Sequence, residues 1–149
     1  PDDPGAPDES GAWPGDKGAM PGGLPETVPG IAVRDGLRYA AGKPELYLRM
    51  AARFRDRYGA GTVPLRRLRE AGEHEAAHRW AHTLKNLAAT LGAARLRDAA
   101  AALESALAEI ATDPTPEAQC ETVIEAVDTA LEEVCGGLDA LPLDQVSAA

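Results

Sequence analysis

Hydrophobic residues recur every three or four positions through most of the chain, which is the spacing of one face of an α-helix. The most regular of these stripes consists of Tyr47, Met50, Ala51, Phe54 and Tyr58. We interpret its aromatic residues as part of the core and not as a ligand site. No segment shows the alternation of apolar and polar residues that is typical of a strand. The pattern predicts helices over residues 33–41, 44–58, 63–71, 73–91, 94–111 and 116–135.

Proline and glycine residues mark the ends of these helices. Pro44 is a favoured residue in a first helical turn, and Gly92 suits the left-handed conformation that ends many helices. We expect the Thr62 side chain to cap the third helix and the pair Gly136-Gly137 to interrupt the last one. Four long helices with short connections predict an all-α fold, namely an antiparallel up-and-down four-helix bundle with one or two short additional helices at its N-terminal side.

Composition divides the chain into a bundle and two terminal segments. The first 23 residues are rich in Pro, Gly and acidic residues, so burial cannot offset the entropy lost on ordering them. We predict a disordered linker over residues 1–23, a helical bundle over 24–141 and a flexible tail over 142–149. With 149 residues and 44% hydrophobic content, the chain can bury one core, not two. No apolar run is long enough for membrane insertion.

Charge is distributed unevenly along the chain. The net charge is −5 over residues 1–30, +8 over 31–97 and −12 over 98–149. The basic middle lacks the interleaved aromatic residues that are typical of nucleic-acid binding, so we expect no nucleic-acid partner. The acidic helices must pack near the basic ones in so small a bundle, and we expect the two sets of charges to compensate each other.

The two cysteines indicate a compartment. Cys120 and Cys135 lie on one predicted helix, and at 1.5 Å per residue they are roughly 22 Å apart, far beyond disulfide reach. They should therefore be free thiols. Free thiols are typical of a reducing environment, so we expect a cytoplasmic setting.

The candidate chemistry centres on His82, in the predicted helix 73–91. The apolar residues of this helix fall on one side and His82 on the other, so its imidazole should point into water, where it can act as a nucleophile. Lys85 lies three residues further on, within reach of a group attached to His82. We expect a partner to contact the surrounding face through His78, Asn86, Ala89 and Ala93.

The same segment carries a family resemblance. The run H-T-L-K-x-x-A-x-x-x-G-A that starts at His82, followed by Leu96 and the pair Leu103-Glu104, resembles the signature of histidine-containing phosphotransfer (HPt) domains. Residues 24–36 and the run E-L-Y-L from Glu45 are similar to the segment that leads into such domains at the ends of hybrid sensor kinases. Asn86 stands where the family usually has Gly, which lets a partner approach closely. The resemblance covers roughly residues 24–135 and implies the same fold.

The resemblance also implies a function. His82 would accept a phosphoryl group on Nε2 from a receiver-domain phospho-aspartate, a second response-regulator receiver would then take that group, and Lys85 would stabilise the phosphoryl oxygens. No nucleotide-binding loop is present, so we expect a phosphotransfer intermediate, not an enzyme. We expect no cofactor on this chain, with Mg²⁺ on the partner receiver. The expected context is a monomeric C-terminal module of a hybrid sensor histidine kinase, which can be tethered to a membrane through that parent.

Two other hypotheses remain open from the residues. His74, His78 and His82 recur at intervals of four, which suggests a metal site, but the outer pair is about 12 Å apart along a helix and one zinc ion could take only two neighbours. We therefore predict no metal ligands. The other hypothesis is a helical scaffold whose histidine face binds a partner helix without being phosphorylated.

Overall fold

The computed structural model of the chain describes residues 21–112 and 117–143. Most of the predicted linker, and residues 144–149 of the predicted tail, lie outside this part. Within it the chain is helical, which confirms the predicted all-α class. A short 3₁₀ turn at Pro21–Gly23 precedes the following elements: β1 (Thr27–Val28), β2 (Ile31–Ala32), α1 (Val33–Tyr39), α2 (Pro44–Tyr58), α3 (Val63–Glu70), α4 (His74–Leu91), α5 (Ala94–Thr112) and α6 (Glu117–Leu138).

The small hairpin β1–β2 is an element that the hydrophobic pattern does not indicate. Its two strands pair antiparallel, with Val28 opposite Ile31. Both of these side chains are buried against the helices. Strands of two residues are too short to show alternation, so the hydrophobic pattern could not have revealed them.

Four helices, α2, α4, α5 and α6, pack in a closed ring, each against the next, as the bundle prediction requires. Helices α2 and α4 are antiparallel, since Tyr47 lies against Leu91 and Tyr58 against Trp80. Arg95, at the start of α5, pairs with Glu133, near the end of α6, so these helices are antiparallel as well. The stripe of α2 is in the core as predicted, with Tyr47 and Tyr58 almost completely buried and Met50 partly so.

The C-terminal end of α6 differs from the prediction. The helix runs through Gly136 and Gly137 without interruption. A Cβ at Gly137 would lie 2.2 Å from the carbonyl oxygen of Pro29, so glycine is needed there for close approach to the hairpin, and not as a break. Beyond the helix, Leu143 is buried with 3% exposure, so the bundle extends past residue 141, where the predicted tail begins.

Helix α3 packs against α4, with Leu65 completely buried, and also makes polar contacts with α6. Thr62 does not cap α3 with its side chain; its hydroxyl donates to Asp128 Oδ2 at 2.8 Å, and its backbone N–H donates to Asp128 Oδ1 at 3.0 Å. Arg66 pairs with Glu121 at 2.6 Å. These contacts confirm that the acidic C-terminal helix compensates the basic middle of the chain.

Three contacts fix the C-terminal end of α4. Gly92 adopts the predicted left-handed conformation, with φ of 87°, and its carbonyl accepts from the Ala32 N–H at 2.9 Å. The buried Tyr47 hydroxyl donates to the Leu91 carbonyl at 2.7 Å. A Cβ at Gly36 would lie 2.4 Å from the Leu91 carbonyl oxygen, so α1 crosses α4 at backbone contact. These contacts hold α4 rigidly against the N-terminal elements.

The two cysteines lie towards opposite ends of α6. Neither Cys120 nor Cys135 forms a disulfide, as their spacing predicts. Burial, with a smaller contribution from Asp139, raises the pKa of the Cys135 thiol, which makes it a weak nucleophile. None of the helices in the described part of the chain is long and apolar enough to span a membrane.

Candidate functional site

Helix α4 presents His82 to solvent near its middle. The buried stripe of this helix holds it against the bundle, and it consists of Ala77, Ala81, Leu84, Ala88 and Leu91. Trp80 and Leu87, which the pattern places in the core, are only partly buried at its edge. His82 lies on the opposite face with 51% of its side chain exposed, as the helical periodicity predicts.

The neighbouring helix α5 contributes a carboxylate to this face. Glu104 Oε2 lies 2.6 Å from His82 Nδ1, and Glu104 Oε1 accepts from Lys85 Nζ at 2.6 Å. One carboxylate therefore bridges the histidine and the lysine across the groove between α4 and α5. Its side chain is only 17% exposed, so both contacts are partly shielded from water.

These contacts determine which nitrogen of the imidazole carries the hydrogen. An ionised carboxylate only accepts hydrogen bonds, so His82 Nδ1 carries the hydrogen and donates it to Glu104. His82 Nε2 of the neutral ring then has a free electron pair. Asn86 Nδ2 lies 3.2 Å from Nε2 and donates to it. Within the described residues, the Asn86 amide is the hydrogen-bond partner of Nε2, and this nitrogen of the neutral ring is the one that can act as a nucleophile.

The same contacts keep Glu104 ionised. The hydrogen bond from Lys85 is the largest cause of a lowered pKa at Glu104, and the hydrogen bond from His82 acts in the same direction against partial desolvation. The carboxyl is therefore charged at neutral pH. A fixed negative charge beside Nδ1 favours an imidazole that gains positive charge during a reaction at Nε2.

The other predicted site residues divide into those on this surface and those away from it. His78 lies one turn before His82, with Nε2 at 3.9 Å from Glu104 Oε2. Ala89 is partly exposed two turns after His82. Ala93 is completely buried, so its side chain exposes no surface, although it lines a groove between α1 and the turn from α4 to α5. Its methyl group packs in the core where α4 turns into α5.

His74 does not join the hydrogen-bonded cluster. It lies with His78 along a groove of about 550 Å³ that leads from His82 towards the N-terminal end of α4. No group of three His, Cys, Asp or Glu side chains in residues 21–112 and 117–143 is arranged to hold a metal ion. The helical spacing of these histidines separates them along the axis instead of converging them.

Local sequence patterns assign no role to Glu104. The pair Leu103-Glu104 was part of the family resemblance, but its carboxylate lies 22 positions after His82. Only the register of the α4–α5 hairpin brings the two side chains together. The sequence does carry one indication of this contact. Glu104 follows the turn at Gly92 by about as many residues as His82 precedes it, so an antiparallel hairpin places the two side by side.

Comparison with protein families agrees with this geometry. The family model of the Hpt domain matches residues 49–137, more than half of the chain, and the match includes α4, α5 and the histidine cluster. No curated protein and no solved structure matches the chain. The protein therefore belongs to the Hpt domain family. Domains of this family are histidine phosphotransfer modules that interact with response-regulator receiver domains in phosphorelays.

Proposed function

We propose that His82 is the phosphoacceptor of this domain, receiving a phosphoryl group from the phospho-aspartate of a receiver domain and passing it to a second response regulator. The observation that carries this proposal is the contact of Glu104 with His82 Nδ1, which leaves the outward-facing Nε2 as the nucleophile. The exposure of the ring, with half of its side chain open to solvent, gives a partner access to this atom.

The transfer needs no base on this chain. The free electron pair of Nε2 attacks the phosphorus of the acyl phosphate in line, a P–N bond forms, and the P–O bond to the aspartate breaks. The aspartate leaves as a carboxylate, and His82 becomes a phosphorylated imidazolium that keeps its Nδ1 hydrogen. Glu104 balances the new positive charge. Attack by the aspartate of the second receiver on phosphorus reverses these steps.

Lys85 acts on the transferred group, whereas Asn86 acts on the nitrogen that receives it. Lys85 has three donors and uses one of them for Glu104, so the other two can reach phosphoryl oxygens as the group arrives. Asn86 must release Nε2 before attack, since a lone pair that accepts a hydrogen bond is not free to bond phosphorus.

The reaction divides its requirements between the two partners. The donor receiver supplies the activated phosphate and holds the Mg²⁺ ion, whereas this chain supplies the nucleophile and the compensating charges and uses no cofactor of its own. The domain is therefore an intermediate carrier that works beside cytoplasmic receivers, as a monomer. In the described part of the chain, the exposed large hydrophobic side chains are Tyr39, Leu46 and Val63. So few of them support the monomeric state.

The test is phosphotransfer from a phosphorylated receiver domain, followed by intact-mass analysis at alkaline pH, where phosphohistidine survives. Wild type and His78→Gln should each gain one phosphate, whereas His82→Gln should gain none. His78 is the matched control because it lies one turn away and also faces Glu104. Circular dichroism should show unchanged helicity in both variants. Phosphate on His82→Gln, or none on wild type from any receiver, refutes the proposal.

A further inference from the structure

A second groove opens on the same side of the bundle as His82. It lies between α1 and the turn that joins α4 to α5, and its volume is about 450 Å³. Its floor is made of small residues, among them Ala89 and Gly92, and its rim is polar and aromatic. The rim residues are Asp35, Arg38, Tyr39 and Arg97.

Tyr39 is the most exposed large hydrophobic residue in the described part of the chain, at 62%. The fold does not need this ring, because α1 is anchored by Val33 and Leu37, which are completely buried. Of the two other exposed hydrophobic residues, Leu46 and Val63, neither lines this groove. An aromatic ring in solvent beside a groove floored with small residues is typical of a contact surface.

The groove lies within the area that a receiver must cover to reach His82. Ala89 follows His82 by seven residues, so it lies on the same face of α4 about 10 Å along the axis. A standard protein interface covers about 800 Å² on each partner, which corresponds to a disc of about 16 Å radius. A partner centred on the imidazole therefore reaches the floor of the groove.

The charges on the rim suit such a partner. Arg38 and Arg97 are exposed cations. Among the residues that the structure describes, Arg97 pairs with the adjacent Asp98, in an exposed contact of 3.1 Å that contributes little. A receiver brings its phospho-aspartate in an acidic, metal-binding pocket. The rim holds these two cations against one acid, Asp35, so its charge favours the approach of such a pocket. Tyrosine and arginine are also the residue types that most often dominate interface energies.

We propose that Tyr39, supported by Arg38 and Arg97, is a docking determinant that selects which receiver domain phosphorylates His82. This inference rests on the proposed function and adds the element that recognises the partner. The family model matches residues 49–137, which include α4 and α5 but not α1. The groove therefore has one wall from the matched region and one wall, α1, from outside it. Tyr39 positions the partner and does not touch the reacting atoms.

The experiment compares two phosphoryl donors on the full chain. One donor is a phosphorylated receiver domain, taken from a panel encoded in the same genome, and the other is phosphoramidate, a small molecule that needs no docking. The variants are Tyr39→Ala and, as matched control, Leu46→Ala, which removes an exposed hydrophobic residue outside the groove. The measurements are KM and kcat for receiver donors and the rate of labelling of His82 by phosphoramidate.

Tyr39→Ala is expected to lower kcat/KM about 10-fold for the preferred receiver, through KM, since an interface aromatic contributes to binding in the ground and transition states alike. Labelling by phosphoramidate should be unchanged, and Leu46→Ala should match wild type with both donors. Wild-type kcat/KM in Tyr39→Ala, or an equal loss with both donors, overturns the inference while the phosphotransfer function stands. If phosphoramidate labels wild type but no receiver does, the proposed function itself fails, and the docking role fails with it.

Discussion

His82 Nδ1 and Glu104 Oε2 lie 2.6 Å apart on two antiparallel helices. This contact determines which ring nitrogen carries the hydrogen and places a fixed negative charge beside the imidazole. Lys85 donates to the other oxygen of the same carboxylate at 2.6 Å. A single acidic side chain therefore orients the histidine and also holds the lysine, as the proposed transfer to His82 requires.

The pH dependence of stability should reveal this pairing. Lys85, and next His82, lower the pKa of Glu104 from its usual value of 4.5. A carboxyl with a lowered pKa stabilises the folded state above its unfolded pKa and loses that contribution as the pH falls through its folded pKa. Glu104→Gln should therefore lower the free energy of unfolding at pH 7, and the difference from wild type should shrink progressively below pH 4.5.

Urea unfolding at a series of pH values measures this difference. Glu125→Gln is the control, because this exposed carboxylate on α6 makes no ion pair with any residue that the structure describes. The control should change the free energy of unfolding little at any pH. A difference between Glu104→Gln and wild type that stays constant from pH 7 to pH 3 would contradict the assigned role of the ion pairs.

Removal of the Asn86 amide should accelerate transfer. Asn86 hydrogen-bonds to the nucleophilic Nε2 at 3.2 Å and must release it before attack. A typical hydrogen bond contributes about 0.5–1.5 kcal/mol, so Asn86→Ala should raise the single-turnover rate by roughly 2- to 10-fold. Asn86→Gly removes the Cβ as well as the amide, and costs about 1 kcal/mol of helix stability relative to Asn86→Ala.

The two Asn86 variants separate two explanations of this position. Equal acceleration in both identifies the hydrogen bond as the obstacle, whereas acceleration in Asn86→Gly alone identifies steric crowding of the partner. Rapid-quench transfer from a phosphorylated receiver gives the rates. Slower transfer in both variants would show that the amide assists the reaction and would refute the prediction.

Lys85→Ala should slow phosphotransfer without abolishing it. Charged hydrogen bonds contribute about 1.5–3 kcal/mol, so loss of the contact with the phosphoryl oxygens predicts a rate roughly 10- to 100-fold lower. The control is Arg67→Ala, which removes an exposed cation on α3 that has no ion pair within the described residues. Arg67→Ala should transfer at the wild-type rate in the same assay. Equal rates for Lys85→Ala and wild type would remove the role of Lys85.

The adjacent glycines of α6 should respond in opposite directions to alanine. A Cβ at Gly137 would lie 2.2 Å from the Pro29 carbonyl oxygen, whereas a Cβ at Gly136 meets no atom within 4 Å. Gly137→Ala should therefore lower the free energy of unfolding by about 1–3 kcal/mol through overpacking. Gly136→Ala should raise it by about 0.5–1 kcal/mol, because alanine favours a helix. Thermal or urea unfolding of both variants tests the pair, and equal effects would contradict the close approach.

Residues that act locally were predictable from the sequence. The stripe of α2 and the exposure of His82 follow from a period of 3.6 residues, which needs no knowledge of neighbouring elements. The left-handed turn at Gly92 follows from the same kind of local argument. Lys85 and Asn86 could be placed near His82 because residues three and four apart on a helix always lie on adjacent turns.

Residues that act across elements were not predictable in this way. Gly137 resembles a helix breaker until the hairpin carbonyl of Pro29 is seen against it. Thr62 resembles a helix cap, but its hydroxyl donates to Asp128, 66 residues further on. Ala93 resembles an open surface residue, but it is buried where two helices meet.

Which segments are helical, where most of them end and which face of α4 carries the histidine follow from the amino-acid sequence, because these properties depend on neighbours within one or two turns. The pairing of Glu104 with His82 and Lys85 follows instead from the packing of α4 against α5. The register between α4 and α5 depends on the turn at Gly92 and on side chains packed between the helices, and no local periodicity encodes it. The contact that prepares the histidine for chemistry is therefore a property of the packed bundle, whereas the histidine and its helix are properties of the chain.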